Sequence, residues 1–145
     1  EILVHLRPTS PIRPVGCVEV AIRTLLEHAE ANSVRGVVEA GQNPYKMWHI
    51  DSETGRMLPL LNIPGITEPY NAPRQVLPPA YWQTGHIDAI RPASILSGSM
   101  SGQVILPLVI DPQYTVDLDT LADWEHAEWL VSQGVSDMIW PVEKK

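Results

Sequence analysis

The sequence predicts an α/β protein with a parallel-rich sheet, and three observations carry that expectation. Residues 2–6 (ILVHL) and 34–38 (VRGVV) are short runs of strand length that bracket one amphipathic stretch. In that stretch Val18, Ala21, Ile22, Leu25, Leu26 and Ala29 recur at helical spacing and give a single apolar face. A third apolar run, residues 103–110, is followed after a proline-containing turn by a second helical pattern. Strand, crossover helix and strand at this spacing fit a right-handed parallel βαβ unit.

The chain of 145 residues is long enough for one domain with its own core. Its 44% apolar content and formal charge of −7 argue against a general nucleic-acid surface. A phosphorylated ligand would then need local cations or a metal. No apolar run reaches the roughly 18 residues of a membrane span, and no signal peptide is visible, so no membrane partner is expected. Cys17 is the only cysteine, which precludes an internal disulfide and fits a reducing, cytoplasmic compartment. Cys17 reads as a structural thiol, because no partner for a nucleophile system lies near it in the sequence. The fourteen prolines cluster at 8–14, 59–79 and 107–112, as expected for shaped loops around a scaffold. The chain opens directly in a strand-like run without a methionine and reads as a piece of a longer protein, incomplete at its N-terminus.

After the first strand comes RPTSPIRP, in which Pro8, Pro11 and Pro14 stiffen a loop carrying Arg7, Thr9, Ser10 and Arg13. Loops at strand ends of α/β folds are the usual ligand-binding positions, and arginine suits bidentate contact with carboxylate or phosphate. A rigid turn with solvated arginines fits the same residues. Residues 47–50 and 56–61 flank DSETG and predict a hairpin. Lys46, just before it, is a possible cation for an anionic ligand. Residues 62–74 lack periodicity and read as an ordered excursion or as an arm packed on another subunit. Tyr81 and Trp82 precede a Thr84-Gly85 turn, and residues 87–91 resume an extended pattern. Residues 94–99 suggest a helical turn. Pro107 places the strand at 103–110 at an edge or bends it.

The stretch IDPQYTVDLDTLADWEHAEWLV, residues 110–131, concentrates Asp117, Asp119 and Asp123 within seven residues. Alternation of Val116 and Leu118 with Thr115 and Asp117 predicts a short extended segment over 114–118. Residues two apart then share a side, so Asp117 and Asp119 would face one space. A helix follows, with Thr120 and Asp123 in capping-box spacing and Leu121, Trp124, Ala127 and Val131 on one face. Two adjacent carboxylates repel unless a cation or a shared proton settles them. Mg²⁺ takes one or two protein carboxylates plus phosphate oxygens and water. The spacing also fits a plainer role, with one residue capping the helix and Asp117 as surface charge. The five histidines lack zinc spacing, and no GxGxxG, GxSxG or Walker loop occurs.

Three segments, LRPTSPIR (6–13), RQVLPPAYWQTGHID (74–88) and VDLDTLADWEHAEWL (116–130), occur in an order that resembles the acylneuraminate cytidylyltransferase family. The resemblance covers nearly the whole chain. It implies a three-layer, Rossmann-like nucleotidyltransferase fold with a mostly parallel sheet, here one domain over residues 1–145. It also implies a dimerisation arm, at residues 56–91, and hence a homodimer. The implied activity is Mg²⁺-dependent transfer of CMP from CTP to a nonulosonic, sialic-acid-like sugar acid, with release of pyrophosphate. By resemblance Asp117 and Asp119 are the metal-binding catalytic pair. Arg74 and Gln75 of the RQ motif, Lys46, and Ser10 and Arg13 of the PTSP-x-R loop are substrate-binding positions. Arg7, Gln83 and Asp88 depart from the usual glutamine, asparagine and tyrosine; Arg7 and Gln83 are retained as substrate-side positions. The alternative is a non-catalytic sugar-acid-binding or dimerisation module.

Overall fold

The computed structural model describes residues 1–135 and divides into two compact units. One comprises residues 1–38 with the chain from Gln83 onward; the other is Glu39–Trp82.

The first unit is built on a four-stranded sheet in the order β1 (Leu3–His5), β5 (Tyr81–Ile90), β2 (Ser33–Glu39), β6 (Ile105–Val109). β1 runs antiparallel to β5 with His5 opposite Asp88, and β2 runs parallel to β6 with Val34 opposite Leu106. The helix α1 (Cys17–Glu27) lies between β1 and β2 in the chain. Its Ala21 and Leu25 are fully buried with Val34, Ile87 and Ala89 of the sheet, and Ile2, Val4, Leu106 and Leu108 pack round them. Val18 packs against the same cluster, whereas Leu26, expected on this face, is 65% exposed. Gly16 begins the helix at φ +79°, a left-handed conformation open to glycine. A short α2 (Pro92–Leu96) follows β5.

The expected mostly parallel, three-layer nucleotidyltransferase fold is overturned. The sheet is mixed, because β5 is inserted between β1 and β2 and runs antiparallel to β1. The last helix is α3 (Leu121–Ser132). Its buried Ala127 and Leu130 pack with Ile12 and Val116, which belong to loops. The expected apolar stripe on this helix is also corrected, since Leu121 and Trp124 are 74% and 52% exposed. Its start is as expected: Thr120 accepts from the Asp123 amide while Asp123 accepts from the Thr120 amide at 2.7 Å.

Gly85 is not in a turn. It lies inside β5, where the side chains of Ser10 and Arg7 pass close to its Cα. An added Cβ would stand 2.3 Å from Ser10 Oγ and 2.9 Å from Arg7 Cδ. Glycine in a strand interior often marks such an approach. Gly85→Ala is expected to cost about 1–3 kcal/mol by overpacking, read as a lower denaturant midpoint at unchanged slope.

The second unit carries the predicted hairpin, β3 (Trp48–Ile50) antiparallel to β4 (Met57–Pro59). Asp51 Oδ1 accepts from the amides of Glu53 at 2.9 Å and Thr54 at 2.8 Å, which closes the turn, and Gly55 supplies φ +68°. The Trp48 and Tyr70 rings are 4.4 Å apart. Ile50, Met57 and Leu58 are nevertheless largely exposed. Among the described residues, no helix is long and apolar enough to cross a membrane.

Candidate functional site

In the first unit three distant stretches of sequence meet: residues 7–13, the β5 residues Gly85 and His86, and residues 114–119. The Arg7 amide donates to the Gly85 carbonyl at 3.1 Å, and Arg13 Nε donates to the His86 carbonyl at 2.8 Å. The Leu118 amide donates to the Thr9 carbonyl at 2.8 Å, which ties the acidic segment to the same loop. Ser10, 1% exposed, fills the space that the missing Gly85 side chain leaves.

The loop cations are engaged internally. Arg13 also donates through Nη2 to the Arg7 carbonyl, so its fork is spent on holding the loop. Burial lowers the proton affinity of Arg13, though a guanidinium remains charged in proteins. Arg7 is exposed, and its guanidinium makes no side-chain hydrogen bond among the described residues. Gln83 on β5 accepts from Arg35 Nη1 at 3.0 Å. Arg35 Nε in turn reaches Asp88 Oδ1 at 2.6 Å, and Asp88 is 3% exposed. The aspartate at this position therefore serves an internal ion pair.

The acidic segment does not form the expected strand. Residues 112–114 make a helical turn, and then the Val116 amide bonds the Tyr114 carbonyl at 3.0 Å and the Asp119 amide bonds the Asp117 carbonyl at 3.2 Å. Hydrogen bonds from residue i+2 to i close tight three-residue turns, so the alternation of an extended chain is interrupted at Thr115 and Leu118. The two carboxylates consequently occupy different surroundings. Asp117 is half-buried, and its Oδ1 is shielded from solvent without a hydrogen-bond partner. Asp119 is exposed. A shielded carboxylate oxygen without a donor fits a cation, and Mg²⁺ needs only one or two protein carboxylates. Among the described residues no group of three or more His, Cys, Asp or Glu is arranged to hold a metal ion. Asp117 and Asp119 are the residues that would hold such an ion.

His86 was not singled out by the sequence, where a lone histidine without zinc spacing gives no signal. It is 1% exposed, and its Nε2 lies 2.8 Å from the Tyr114 carbonyl. Burial pushes its pKa below the ordinary value, and Arg13 adds to this. The carbonyls of Tyr114 and Ile12 and the Asp117 carboxylate oppose it. The unfolded chain therefore binds this proton more readily than the folded one. The stabilisation is complete above the ordinary histidine value and is lost as pH falls through the lowered folded value. Between about pH 7 and about pH 5, the wild type should lose denaturant stability faster than His86→Gln, in which this proton site is gone.

Near the start of α1, burial pushes the Cys17 thiol up, against an opposing effect of Arg13; this favours the unreactive thiol form.

The second unit carries Lys46, Arg74 and Gln75. Lys46 Nζ donates to the carbonyls of Ala72 at 2.7 Å and Tyr70 at 3.2 Å. Arg74 donates to the carbonyls of Gly41 at 3.3 Å and Ala40 at 3.0 Å and meets Glu39 at 3.3 Å. Gln75 and Arg74 line a cleft of about 280 Å³ with Glu39, Asn43 and Leu77. Both cations thus staple loop backbone in this structure. No protein-family model matches the chain, and no curated protein matches it.

Proposed function

We propose that this chain belongs to a Mg²⁺-dependent nucleotidyltransferase that moves CMP from CTP to a nonulosonic sugar acid and releases pyrophosphate. One observation carries the reading. The Arg7–Arg13 loop, the Gly85-His86 pair and the Tyr114–Asp119 segment, drawn from all three family-like motifs, are tied to one another by hydrogen bonds, and the last of them carries the shielded Asp117 oxygen. Mg²⁺ held by Asp117 and Asp119 would supply positive charge to phosphate oxygens. The exposed guanidinium of Arg7 is free to meet an anionic substrate, and Ser10 and Arg13 keep the loop in place. Most of the rate enhancement would come from positioning and charge stabilisation.

A homodimer is part of this proposal. Ile50, Met57, Leu58, Leu60 and Leu61 of the second unit are all exposed, and an apolar surface of this kind suits a second subunit. The full-length protein should sediment as a dimer at micromolar concentration, and a monomer would remove the arm's role.

A second reading, a non-catalytic sugar-acid-binding or dimerisation module, is favoured by the engagement of Arg13, Lys46 and Arg74 with their own backbone. The deciding experiment mixes full-length protein, Mg²⁺, CTP and a panel of nonulosonic acids. Pyrophosphate release supports the transferase. Sugar-acid binding without turnover favours the module, and neither result leaves only an assembly role.

A further inference from the structure

His86 is the sixth residue of β5 and is enclosed on all sides, yet it is the point from which two loops are held. Its own carbonyl accepts from Arg13, and its ring reaches the Tyr114 carbonyl. A carbonyl only accepts, so Nε2 carries the hydrogen. The Tyr114 carbonyl also accepts from the Val116 amide at 3.0 Å, which makes it the origin of the turn that leads into the acidic pair. One residue beyond Asp117, the Leu118 amide is fixed to the Thr9 carbonyl. Asp117 therefore lies between two anchors, one three residues before it and one immediately after it.

We infer that His86 is a positioning residue for Asp117, acting through its Nε2–H bond to the Tyr114 carbonyl. The inference rests on the reading that Asp117 holds Mg²⁺. A space-filling role would need only the ring's volume, whereas this role needs the donor. Phenylalanine keeps most of the volume and loses the donor. Glutamine places an amide nitrogen near the position of Nε2.

The test compares ¹⁵N-labelled wild type, His86→Phe and His86→Gln in the full-length protein. Amide exchange at Val116 and Leu118 is read without metal, and the Mg²⁺ affinity is read from the shift of the Asp117 amide. His86→Phe should expose both amides to faster exchange and weaken Mg²⁺ by about tenfold or more, the range seen when an outer partner of a metal ligand is removed. His86→Gln should restore both. Wild-type behaviour in His86→Phe, or equal loss in His86→Gln, would overturn the role. A wild type that binds no Mg²⁺ sinks the metal reading alone, and the positioning role is then judged by the two amides. If His86→Phe does not fold, the wild-type ring decides: an Nε2–H tautomer supports the role, and an Nδ1–H tautomer overturns it.

Discussion

Arg35→Met should cost about 3–5 kcal/mol of folding stability, the range for removing one member of a buried ion pair. The Asp88 side chain is 4% exposed, and Arg35 Nε approaches Oδ1 at 2.6 Å. The nearest other side-chain nitrogen, His5 Nδ1, stands 3.7 Å from Oδ2, beyond hydrogen-bond distance. Without Arg35 the carboxylate would stay in the sheet with neither solvent nor a short donor. Methionine fills the aliphatic stem's place, so the loss reports the uncompensated charge and not a cavity. Arg35→Met combined with Asp88→Leu should recover most of the stability, because an apolar pair of similar volume removes the charge as well. The measurement is a urea midpoint and slope for each single and the double variant. A single-variant loss under about 1 kcal/mol would mean that the pair behaves as an exposed one.

Asp117→Asn should lower kcat by about 10²-fold or more at saturating Mg²⁺, the scale of losing a strong electrostatic contact in the transition state. The change removes one negative charge and nearly preserves shape. Stability should hold or rise, since a shielded carboxylate oxygen without a donor is costly in the metal-free protein. Asp119→Asn should follow the same direction. Asp123→Asn is the contrasting variant. Its carboxylate accepts from the Thr120 amide and hydroxyl, each at 2.7 Å, which holds its pKa below the usual range. It should therefore lose helix stability and keep turnover. Near-normal kcat in Asp117→Asn would return the acidic pair to a role as surface charge beside a capped helix.

Local chemistry was legible in the sequence. The capping box at Thr120 and Asp123, the DSETG hairpin and the part of the predicted helical face that packs, Val18, Ala21 and Leu25, each depend on neighbours within one or two turns of chain. The sheet order was not legible, because nothing local says that β5 enters between β1 and β2. Gly85 misled in a physical way. Beside Thr84 it reads as a turn, but it is glycine because Ser10 and Arg7 occupy the space of its side chain. The acidic segment misled through its alternation, which hydrogen bonds at Tyr114 and Asp117 interrupt. Arg13, Lys46 and Arg74 were read as substrate-side cations, whereas in the structure they donate to the protein's own backbone. Their acceptors are backbone carbonyls between six and seventy-three positions away, and composition carries no sign of that.

Pro107 bears on how the protein behaves when crowded with copies of itself. The Val104 carbonyl accepts from Asn32 and the Ile110 amide donates to Val37, so even-numbered residues of this stretch turn their polar backbone groups towards β2. Ile105, Pro107 and Val109 consequently turn theirs to the outer rim of the sheet. A strand arriving from solution would need a rung at each, and the middle position has no N–H to offer. Ile105 and Val109 are 43% and 59% exposed, which would otherwise make this rim an inviting template for stacking. A single imino acid thus blunts fibrillar growth along that side and leaves the parallel pairing with β2 untouched.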